Sequence, residues 1–283
     1  MRILGILGKT KHPDIEQAVS SVLRPAKAAA CRVLIEKGLA NLAPEADALS
    51  PEEVAGQAEC LVVLGGDGTL IRALRLLDER QVPIFGINLG FLGFLTPFTV
   101  DEAEAEFTRV LRGDFETDDR MRLQVDVLRG DKRLSRQRVF NDLVVSSAEI
   151  SRITTVRAHI DGSFVTAYRA DGLIVATPSG STAYAMAAGG PIVMPNSRAL
   201  VLAPICPHTL TMRPLVVHGD SRIRLELDKD GPPMVATFDG QHVVELVYGD
   251  RLEIEQAPGR VLLVRPPRDQ FQLLRSKLKW GQG

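Results

Sequence analysis

Residues 60–80 read CLVVLGGDGTLIRALRLLDER, and this stretch decides the fold class of the N-terminal part of the chain. CLVVL (60–64) is an uninterrupted apolar run, as expected for a strand that is buried on both faces of a parallel sheet. TLIRALRLLDER (69–80) carries its apolar residues at helical spacing. GGDG (65–68) lies directly between the two, so the stretch predicts a strand, a glycine-rich turn and a helix.

The same alternation begins at the N-terminus. RILGIL (2–7) predicts a first buried strand, and the spacing of residues 14–37 predicts a helix. Gly38 would end that helix, and Pro25 would kink or interrupt it. Because strands and helices alternate, we predict an α/β domain with a parallel sheet at residues 1–120.

The second half of the chain changes to short segments that alternate in polarity. MRLQVDVLR (121–129) puts its apolar residues on one face of a strand. Asp161-Gly162, between two such segments, suits a two-residue type I′ hairpin turn. We therefore predict a β-rich, β-sandwich-like domain at residues 121–265. A C-terminal helix at 266–283 should return to the N-terminal domain, because its apolar face must be buried.

The composition excludes several classes of function. A net charge of −1 provides no overall field for binding DNA, RNA or an anionic membrane. No apolar stretch approaches the roughly 20 residues of a membrane-spanning helix. Three widely spaced cysteines without a CxxC pair argue against a disulfide scaffold or a cysteine-rich zinc site. We expect a cytoplasmic protein without nucleic-acid or membrane partners.

The GGDG turn has features of a phosphate-binding site. Its glycines let backbone N–H groups approach a ligand closely, and the start of the following helix adds a partial positive charge. Asp67 would repel a phosphate, so its position suggests that it accepts a proton, orients a hydroxyl or reaches a cation. The alternative is that Asp67 only caps the helix. The turn lacks the Lys-Ser/Thr ending of a P-loop and the GxGxxG spacing.

A second unusual segment is DGLIVATPSGSTAYAMAAGGPIV (171–193). Its Ser/Thr start and Gly-Gly stop predict a short helix in strand-rich surroundings. Small residues with one tyrosine could form an apolar pocket with a few hydroxyl partners. Taken singly, Ser179 and Thr182 are equally explained as helix caps, Tyr184 as a core aromatic and Arg169 as a solvated charge.

These motifs resemble those of the NAD kinase family. GGDG resembles a motif shared by NAD kinases, phosphofructokinases and diacylglycerol or sphingosine kinases, while residues 171–193 closely resemble the highly specific NAD kinase signature. Four further segments resemble the family in order and spacing: NLGFLGFL (88–95), NDLVV (141–145), PHTLTMRPLVV (207–217) and FDGQ (238–241). Matches spread over most of the chain make coincidence improbable.

The resemblance implies a reaction and its co-substrates. The chain would transfer a phosphoryl group from ATP to the adenosine 2′-hydroxyl of NAD, giving NADP, and inorganic polyphosphate is an open alternative as donor. Mg²⁺ would be held by the ATP phosphates, with no metal ligands from the protein. The resemblance also implies a homo-oligomer, a dimer or a tetramer.

The resemblance also implies roles for individual residues. Asp67 would be the catalytic residue, orienting the 2′-hydroxyl or accepting its proton. Arg169 and Asp171 would flank the acceptor nucleotide, with a contact across a subunit interface as one option, and Arg152 is placed only by its spacing. The residues implied in substrate binding are Gly65, Gly66, Gly68, Thr69, Asn141, Asp142, Arg152, Arg169, Asp171, Ser179, Thr182, Ala183, Tyr184, Ala185, Met186, Ala187 and Gln241.

The chain departs from the family pattern at three positions. Asp142 stands where the family has Glu, Ser179 where it has Thr, and Ala187 where some relatives have Ser. These changes put fine specificity in doubt and leave the reaction class intact. Two alternatives stay open: a kinase of the same superfamily that acts on a lipid or sugar phosphate, and a non-catalytic module that senses NAD or NADP.

Overall fold

The structure is a computed structural model that describes residues 2–149, 153–228 and 231–280. None of the helices in this part of the chain is both long and apolar enough to cross a membrane. The helices are α1 (Ile15–Ala28), α2 (Pro51–Gln57), α3 (Asp67–Leu77), α4 (Val100–Leu111), α5 (Tyr184–Ala187) and α6 (Gln270–Leu278), with 3₁₀ turns at Lys37–Leu42 and Gly180–Thr182. The strands, in chain order, are β1 (Ile3–Gly8), β2 (Arg32–Glu36), β3 (Asp47–Leu49), β4 (Cys60–Leu64), β5 (Pro83–Asn88), β6 (Phe98–Thr99), β7 (Thr117–Arg120), β8 (Leu123–Arg129), β9 (Lys132–Val139), β10 (Asp142–Ser147), β11 (Thr154–Ile160), β12 (Ser163–Ala170), β13 (Gly172–Ala176), β14 (Ala199–Ile205), β15 (Leu215–His218), β16 (Ile223–Leu227), β17 (Met234–Phe238), β18 (His242–Leu246), β19 (Asp250–Gln256) and β20 (Val261–Val264).

The described residues form two compact units. The first unit contains residues 2–119 and 261–280, and the second contains the described part of residues 120–260. The first unit is built on one sheet with the strand order β3-β2-β1-β4-β5-β20-β7, and β6 pairs with β5. Each strand from β1 to β6 pairs in parallel with its neighbours. The predicted α/β class with a parallel sheet is therefore confirmed.

The strand that precedes GGDG lies inside this sheet. β4 is flanked by β1 and β5, and all five of its residues are buried. The helix that follows buries one apolar face, formed by Leu70, Ile71, Ala73, Leu74 and Leu77. The strand, turn and helix predicted from residues 60–80 are therefore confirmed.

The long helix predicted for residues 14–37 is wrong in its second half. α1 ends at Ala28, with Pro25 inside the helix, and Ala30 takes a left-handed conformation with φ of 53°. The chain then turns into β2, which pairs in parallel with β1 and buries Leu34 and Ile35. The helical spacing in this segment was misleading because pairing with β1 buries the same apolar residues in an extended strand.

The second unit is a sandwich of two antiparallel sheets. The strand orders are β15-β14-β13-β10-β17-β18 and β12-β11-β16-β19-β8-β9. One large apolar core draws side chains from both sheets, for example Val145 and Val175 from one and Val125 and Leu225 from the other. The predicted β-rich, sandwich-like fold is confirmed.

Two local predictions in this unit are also confirmed. Met121 and the alternate residues of β8 that follow it are buried, as the polarity pattern of residues 121–129 indicated. β11 and β12 form an antiparallel hairpin in which Ile160 pairs with Ser163. Asp161 and Gly162 connect these strands with φ angles of 51° and 84°, as a type I′ turn requires.

The end of the chain departs from the predicted domain boundary. Residues 261–265 were placed with the β-rich domain, but β20 pairs in parallel with β5 in the sheet of the first unit. The apolar residues of β20 suit either kind of sheet, so only the pairing partner decides the boundary. α6 follows β20, belongs to the first unit and buries Leu273 and Leu274.

Candidate active site

The GGDG turn joins β4 to α3 in a close-packed arrangement. Gly66 is the N-cap of α3, and Asp67 is the first helical residue. Gly65 lies against the side chain of Thr69, where a Cβ atom on residue 65 would come within 2.7 Å of the Thr69 Cβ. The glycine is needed here because a larger residue would push the helix start away from the strand. The first turn of α3 is thereby fixed at the carboxyl end of β4.

The Asp67 side chain does not cap its own helix, which excludes the capping interpretation. Its carboxylate instead accepts hydrogen bonds from a loop 27 to 29 residues further along the chain. Oδ2 accepts the Phe94 N–H at 2.9 Å, and Oδ1 accepts the Leu95 N–H at 3.0 Å and the Thr96 N–H at 3.2 Å. The Thr96 hydroxyl also donates a hydrogen bond to Oδ1, at 3.1 Å. Three amides and a hydroxyl therefore determine the orientation of this carboxylate.

The loop around Asp67 (residues 88–96, the "Asp67 loop") has its own supports. Asn88 Nδ2 donates to Thr96 Oγ1 at 2.7 Å, and Asn88 Oδ1 accepts the Gly90 N–H at 2.7 Å. Gly93 packs so closely on the Asp67 carboxylate and the Thr96 hydroxyl that it leaves no room for a Cβ. This loop was identified from the sequence as a motif, but none of its residues was predicted to be functional. The polar Asn88 and Thr96 at the two ends of a glycine-containing loop were the available signal.

The second group of predicted residues lies in the second unit, around the carboxylate of Asp239. This carboxylate accepts the backbone N–H groups of Phe140, Asn141 and Asp142 at 2.9, 2.6 and 3.1 Å. In return, Asp142 O accepts the Asp239 N–H at 2.9 Å. The FDG turn therefore holds the start of β10. Only Gln241, which follows this turn and is exposed, was predicted from the FDGQ motif; Asp239 was missed.

The TPSG turn packs onto the same point. Thr177 N–H donates to Asn141 O at 2.9 Å, and the Thr177 hydroxyl donates to Phe140 O at 2.6 Å and accepts the Gly180 N–H at 3.1 Å. Gly180 lies directly against the Asn141 backbone. The structure therefore brings Asn141, Asp142 and the turn at residues 177–180 into one hydrogen-bonded cluster.

Asp142 is an unusual carboxyl group within this cluster. It is only 5% exposed. Burial and, second, the nearby negative charge of Asp239 raise the pKa of Asp142 to about 7, although the Tyr184 backbone N–H donates to it and acts in the opposite direction. Asp239 accepts three amide hydrogen bonds, which stabilise its charge. Near neutral pH, Asp142 can therefore hold a proton or accept a hydrogen bond from a ligand.

Residues 179–187 have mixed environments. Ser179 is buried and its hydroxyl accepts a hydrogen bond from Arg120 Nη1 at 3.3 Å, while Tyr184 is 47% exposed. Thr182, Ala183 and Met186 are partly buried and Ala187 is exposed. The side chain of Ala185 is fully buried in an apolar cluster with β10, β13 and β14, so it supports the segment from inside. The predicted short helix is observed as a 3₁₀ turn followed by α5.

Arg169 and Asp171 lie away from the hydrogen-bonded cluster of Asn141, Asp142 and residues 177–180. Asp142 pairs with Ala176 at one end of β13, whereas Asp171 precedes the other end, about 16 Å away along the strand. Arg169 is exposed on β12, two residues before Asp171. A single copy of the chain therefore does not bring Arg169 and Asp171 to the TPSG turn. Arg152 lies outside the described residues.

The comparisons with known proteins agree with these motifs. The family profile described as ATP-NAD kinase N-terminal domain matches residues 4–115, and the profile described as ATP-NAD kinase C-terminal domain matches residues 140–266. An NAD kinase from Geotalea daltonii is 40% identical over 283 residues, covering 100% of both chains. An NAD kinase from Syntrophobacter fumaroxidans is 45% identical over 225 residues, covering 79% of this chain and 80% of that one.

Two solved structures are similar to this fold. Yeast NADH kinase complexed with NADH has a TM-score of 0.92 at 24% identity, covering 100% of this chain and 89% of that chain. An NAD kinase from Archaeoglobus fulgidus in complex with ATP has a TM-score of 0.78 at 28% identity, covering 98% of this chain and 99% of that chain.

The α/β unit with its GGDG turn and the sandwich unit with its TPSG turn define a kinase that phosphorylates a hydroxyl group. The chain belongs to the NAD kinase family. Its function is that of an NAD kinase, a transferase that phosphorylates NAD.

Proposed function

We propose that Asp67 orients the 2′-hydroxyl of the adenosine ribose of NAD for attack on the γ-phosphate of ATP, giving NADP. The observation that carries this proposal is the fixed carboxylate at the GGDG turn, held by Phe94, Leu95 and Thr96. Phosphoryl transfer depends mainly on alignment and charge neutralisation because its transition state is loose. A carboxylate whose direction is fixed in advance suits that requirement.

The two oxygens of Asp67 are not equivalent. Oδ1 is within hydrogen-bond distance of three groups, whereas Oδ2 accepts only the Phe94 N–H among the described residues. Oδ2 therefore keeps a lone pair for the acceptor hydroxyl. Because a carboxylate is a weak base toward a sugar hydroxyl, Asp67 orients that hydroxyl first and accepts its proton only late in the transfer.

The donor phosphates are assigned to the same turn. Gly65, Gly66, Gly68 and Thr69 lie at the N-terminus of α3, where backbone N–H groups and the helix dipole favour an anion. Mg²⁺ would enter with ATP and neutralise charge on the triphosphate. In the part of the chain that the structure describes, no group of three or more His, Cys, Asp or Glu is placed to hold a cation.

The nucleotide-binding role is assigned to the cluster of the second unit. Asn141 and Asp142 would hydrogen-bond the dinucleotide, and Ser179, Thr182 and Tyr184 would line the adenine and ribose pocket, with the neighbouring small residues shaping it. A ribose hydroxyl or an exocyclic amine is a hydrogen-bond donor, so it would bind the ionised form of Asp142. Gln241 would contribute from the adjacent FDG turn.

We also propose that the chain works as a homo-oligomer. Asp171 is about 16 Å along β13 from Ala176, the residue that pairs with Asp142, and Arg169 precedes Asp171 by two residues on β12. If they contact the acceptor nucleotide, as the family pattern implies, they do so from a second copy. A cytoplasmic location is proposed from the cysteines, because Cys31, Cys60 and Cys206 are all thiols in the described chain.

The test is an assay of NADP formation from Mg-ATP and NAD, read with an NADP-specific dehydrogenase. Asp67→Asn should lower turnover by about 100-fold or more while NAD still binds, because general-base and orienting effects have that size. Asp78→Asn, at the other end of α3, is the matched control and should keep parental turnover. Parental turnover in Asp67→Asn would overturn the proposed role. Tight NAD binding without turnover in the parent protein would instead indicate a sensing module.

A further inference from the structure

The C-terminal helix α6 lies in the same unit as Asp67. Its N-cap residue Asp269 accepts the Gln272 N–H at 2.8 Å, and Leu273 and Leu274 are buried. These contacts fix the start and the apolar face of the helix. None of the segments that resemble the NAD kinase motifs lies in α6.

The segment just before α6 is tied to the element that follows the Asp67 loop. Arg268 forms an ion pair with Glu102. Glu102 belongs to the capping box of α4, in which its carboxylate accepts the Thr99 N–H at 3.0 Å. Thr99 comes three residues after Thr96, which closes the Asp67 loop. The beginning of the C-terminal segment is therefore anchored beside one end of that loop.

The last turn of α6 reaches the loop itself. Lys277 Nζ lies 5.8 Å from the centroid of the Phe94 ring, within the range of a cation–π interaction. Both side chains are partly buried. The backbone N–H of Phe94 is the donor to Asp67 Oδ2, at 2.9 Å. The ring of this residue thus faces α6 while its peptide holds the oxygen assigned to the acceptor hydroxyl.

We propose that Lys277 is a positioning residue for phosphoryl transfer: its ammonium group holds the Phe94 ring, and through the Phe94 peptide it fixes Asp67 Oδ2. This inference rests on the proposed role of Asp67. The orientation of Oδ2 depends on the Phe94 peptide, because Phe94 supplies the one hydrogen bond that Oδ2 accepts from the described residues. Oδ1, in contrast, accepts several. A misplacement of the reacting groups by about 1 Å can slow a reaction about 100-fold.

The test compares three variants of the full chain in the NADP assay. Lys277→Met keeps an unbranched side chain that is one atom shorter and removes the charge, and it should lower kcat about tenfold with little change in KM for ATP or NAD. Lys277→Arg keeps a cation over the ring and should recover most of that loss. Arg275→Met removes the same charge from an exposed position on the same helix and should leave kcat unchanged.

The fluorescence of Trp280, the only tryptophan of the chain, distinguishes a positioning role of Lys277 from a role in stabilising α6. Trp280 follows α6 and is about half exposed, so its emission reports whether the helix stays docked. Lys277→Met should leave the Trp280 emission maximum and Tm unchanged. A red shift with a lower Tm would show that Lys277 only stabilises α6, and this would overturn the proposal. Unchanged kcat, or a raised KM for either substrate alone, would overturn it as well.

The Asp67→Asn variant, measured in parallel, separates the two levels of inference. If Asp67→Asn abolishes turnover and Lys277→Met does not reduce it, only the positioning role of Lys277 fails. If Asp67→Asn keeps turnover, the proposed role of Asp67 fails, and the positioning role fails with it.

Discussion

Gly180 lies against the backbone of Asn141, so closely that a Cβ atom on residue 180 would overlap the Asn141 carbonyl group. This contact joins the TPSG turn to the start of β10. The Thr177 hydroxyl, which bonds both segments, lies beside it. Two motifs that are almost 40 residues apart in the chain are therefore packed and hydrogen-bonded together in the cluster around Asp239.

Gly180→Ala should disrupt this unit. The added methyl group meets backbone atoms, which cannot move aside cheaply, so we expect a loss of about 1–3 kcal/mol in the free energy of unfolding and a raised KM for NAD. Thermal unfolding and steady-state kinetics measure the two effects. Gly56→Ala is the matched control, because a Cβ at that helical position meets nothing within 4 Å. Equal behaviour of the two variants would contradict the close contact.

Asp142→Asn should change how stability depends on pH. The pKa of Asp142 is about 7 in the folded chain and near its ordinary value of 3.8 in the unfolded chain, so the folded state holds the extra proton between these pH values. The free energy of unfolding therefore falls as pH rises towards 7. The Asn variant has no titrating group at this position, so its free energy of unfolding should not fall in this way. The free energy of unfolding of the variant relative to the parent should therefore increase by about 2–3 kcal/mol between pH 5 and pH 8. Urea unfolding at both pH values measures it, and a constant difference would refute the assignment.

Thr96→Val should reduce turnover through the Asp67 loop. The buried Thr96 hydroxyl lies between Asn88 Nδ2 and Asp67 Oδ1, and valine leaves both groups without this partner. We expect a stability loss of about 1–3 kcal/mol and a several-fold lower kcat. Thr96→Ser keeps the hydroxyl and should recover most of both. If Val and Ser variants have the same kcat, the hydroxyl has no part in holding Asp67.

Mixing Asp67→Asn with Asp171→Asn tests the proposal that two copies of the chain share a site. If one copy supplies Asp67 and its partner supplies Asp171, a mixed oligomer of Asp67→Asn and Asp171→Asn contains some sites with both native residues. Refolding the two variants together should then restore activity, up to about a quarter of the parental value for a dimer. Each variant refolded alone is the control. No recovery, with mixed oligomers present, would place both residues in one copy.

Much of the fold was predictable because it is encoded locally. The apolar run of residues 60–64, the glycines that follow it and the helical spacing after them each specify the conformation of their own segment. The hairpin at Asp161-Gly162 is another example, since these residues adopt the positive φ angles that the turn needs. Residues 32–36 were predicted wrongly because their apolar pattern fits a helix face as well as a buried strand.

The motifs of the candidate site could be predicted from the sequence, but most contacts between its residues could not. Asp67 was singled out because a carboxylate in a glycine-rich turn needs a chemical reason. Asp239, Thr96 and Phe94 were not, because each acts on a residue that is distant in the chain: Asp239 holds Asn141 across 98 positions, and Phe94 holds Asp67 across 27. No local pattern carries such a pairing.

By itself, the sequence determined the type of most elements, the glycine-dependent turns and the family to which the chain belongs. Only the tertiary structure decided that β20 joins the first sheet, that Asp171 lies a strand length from Asp142, and which backbone amides surround Asp67. The physical reason is that periodicity and turn preference act over a few neighbouring residues, whereas a hydrogen bond between distant segments exists only after packing has brought them together.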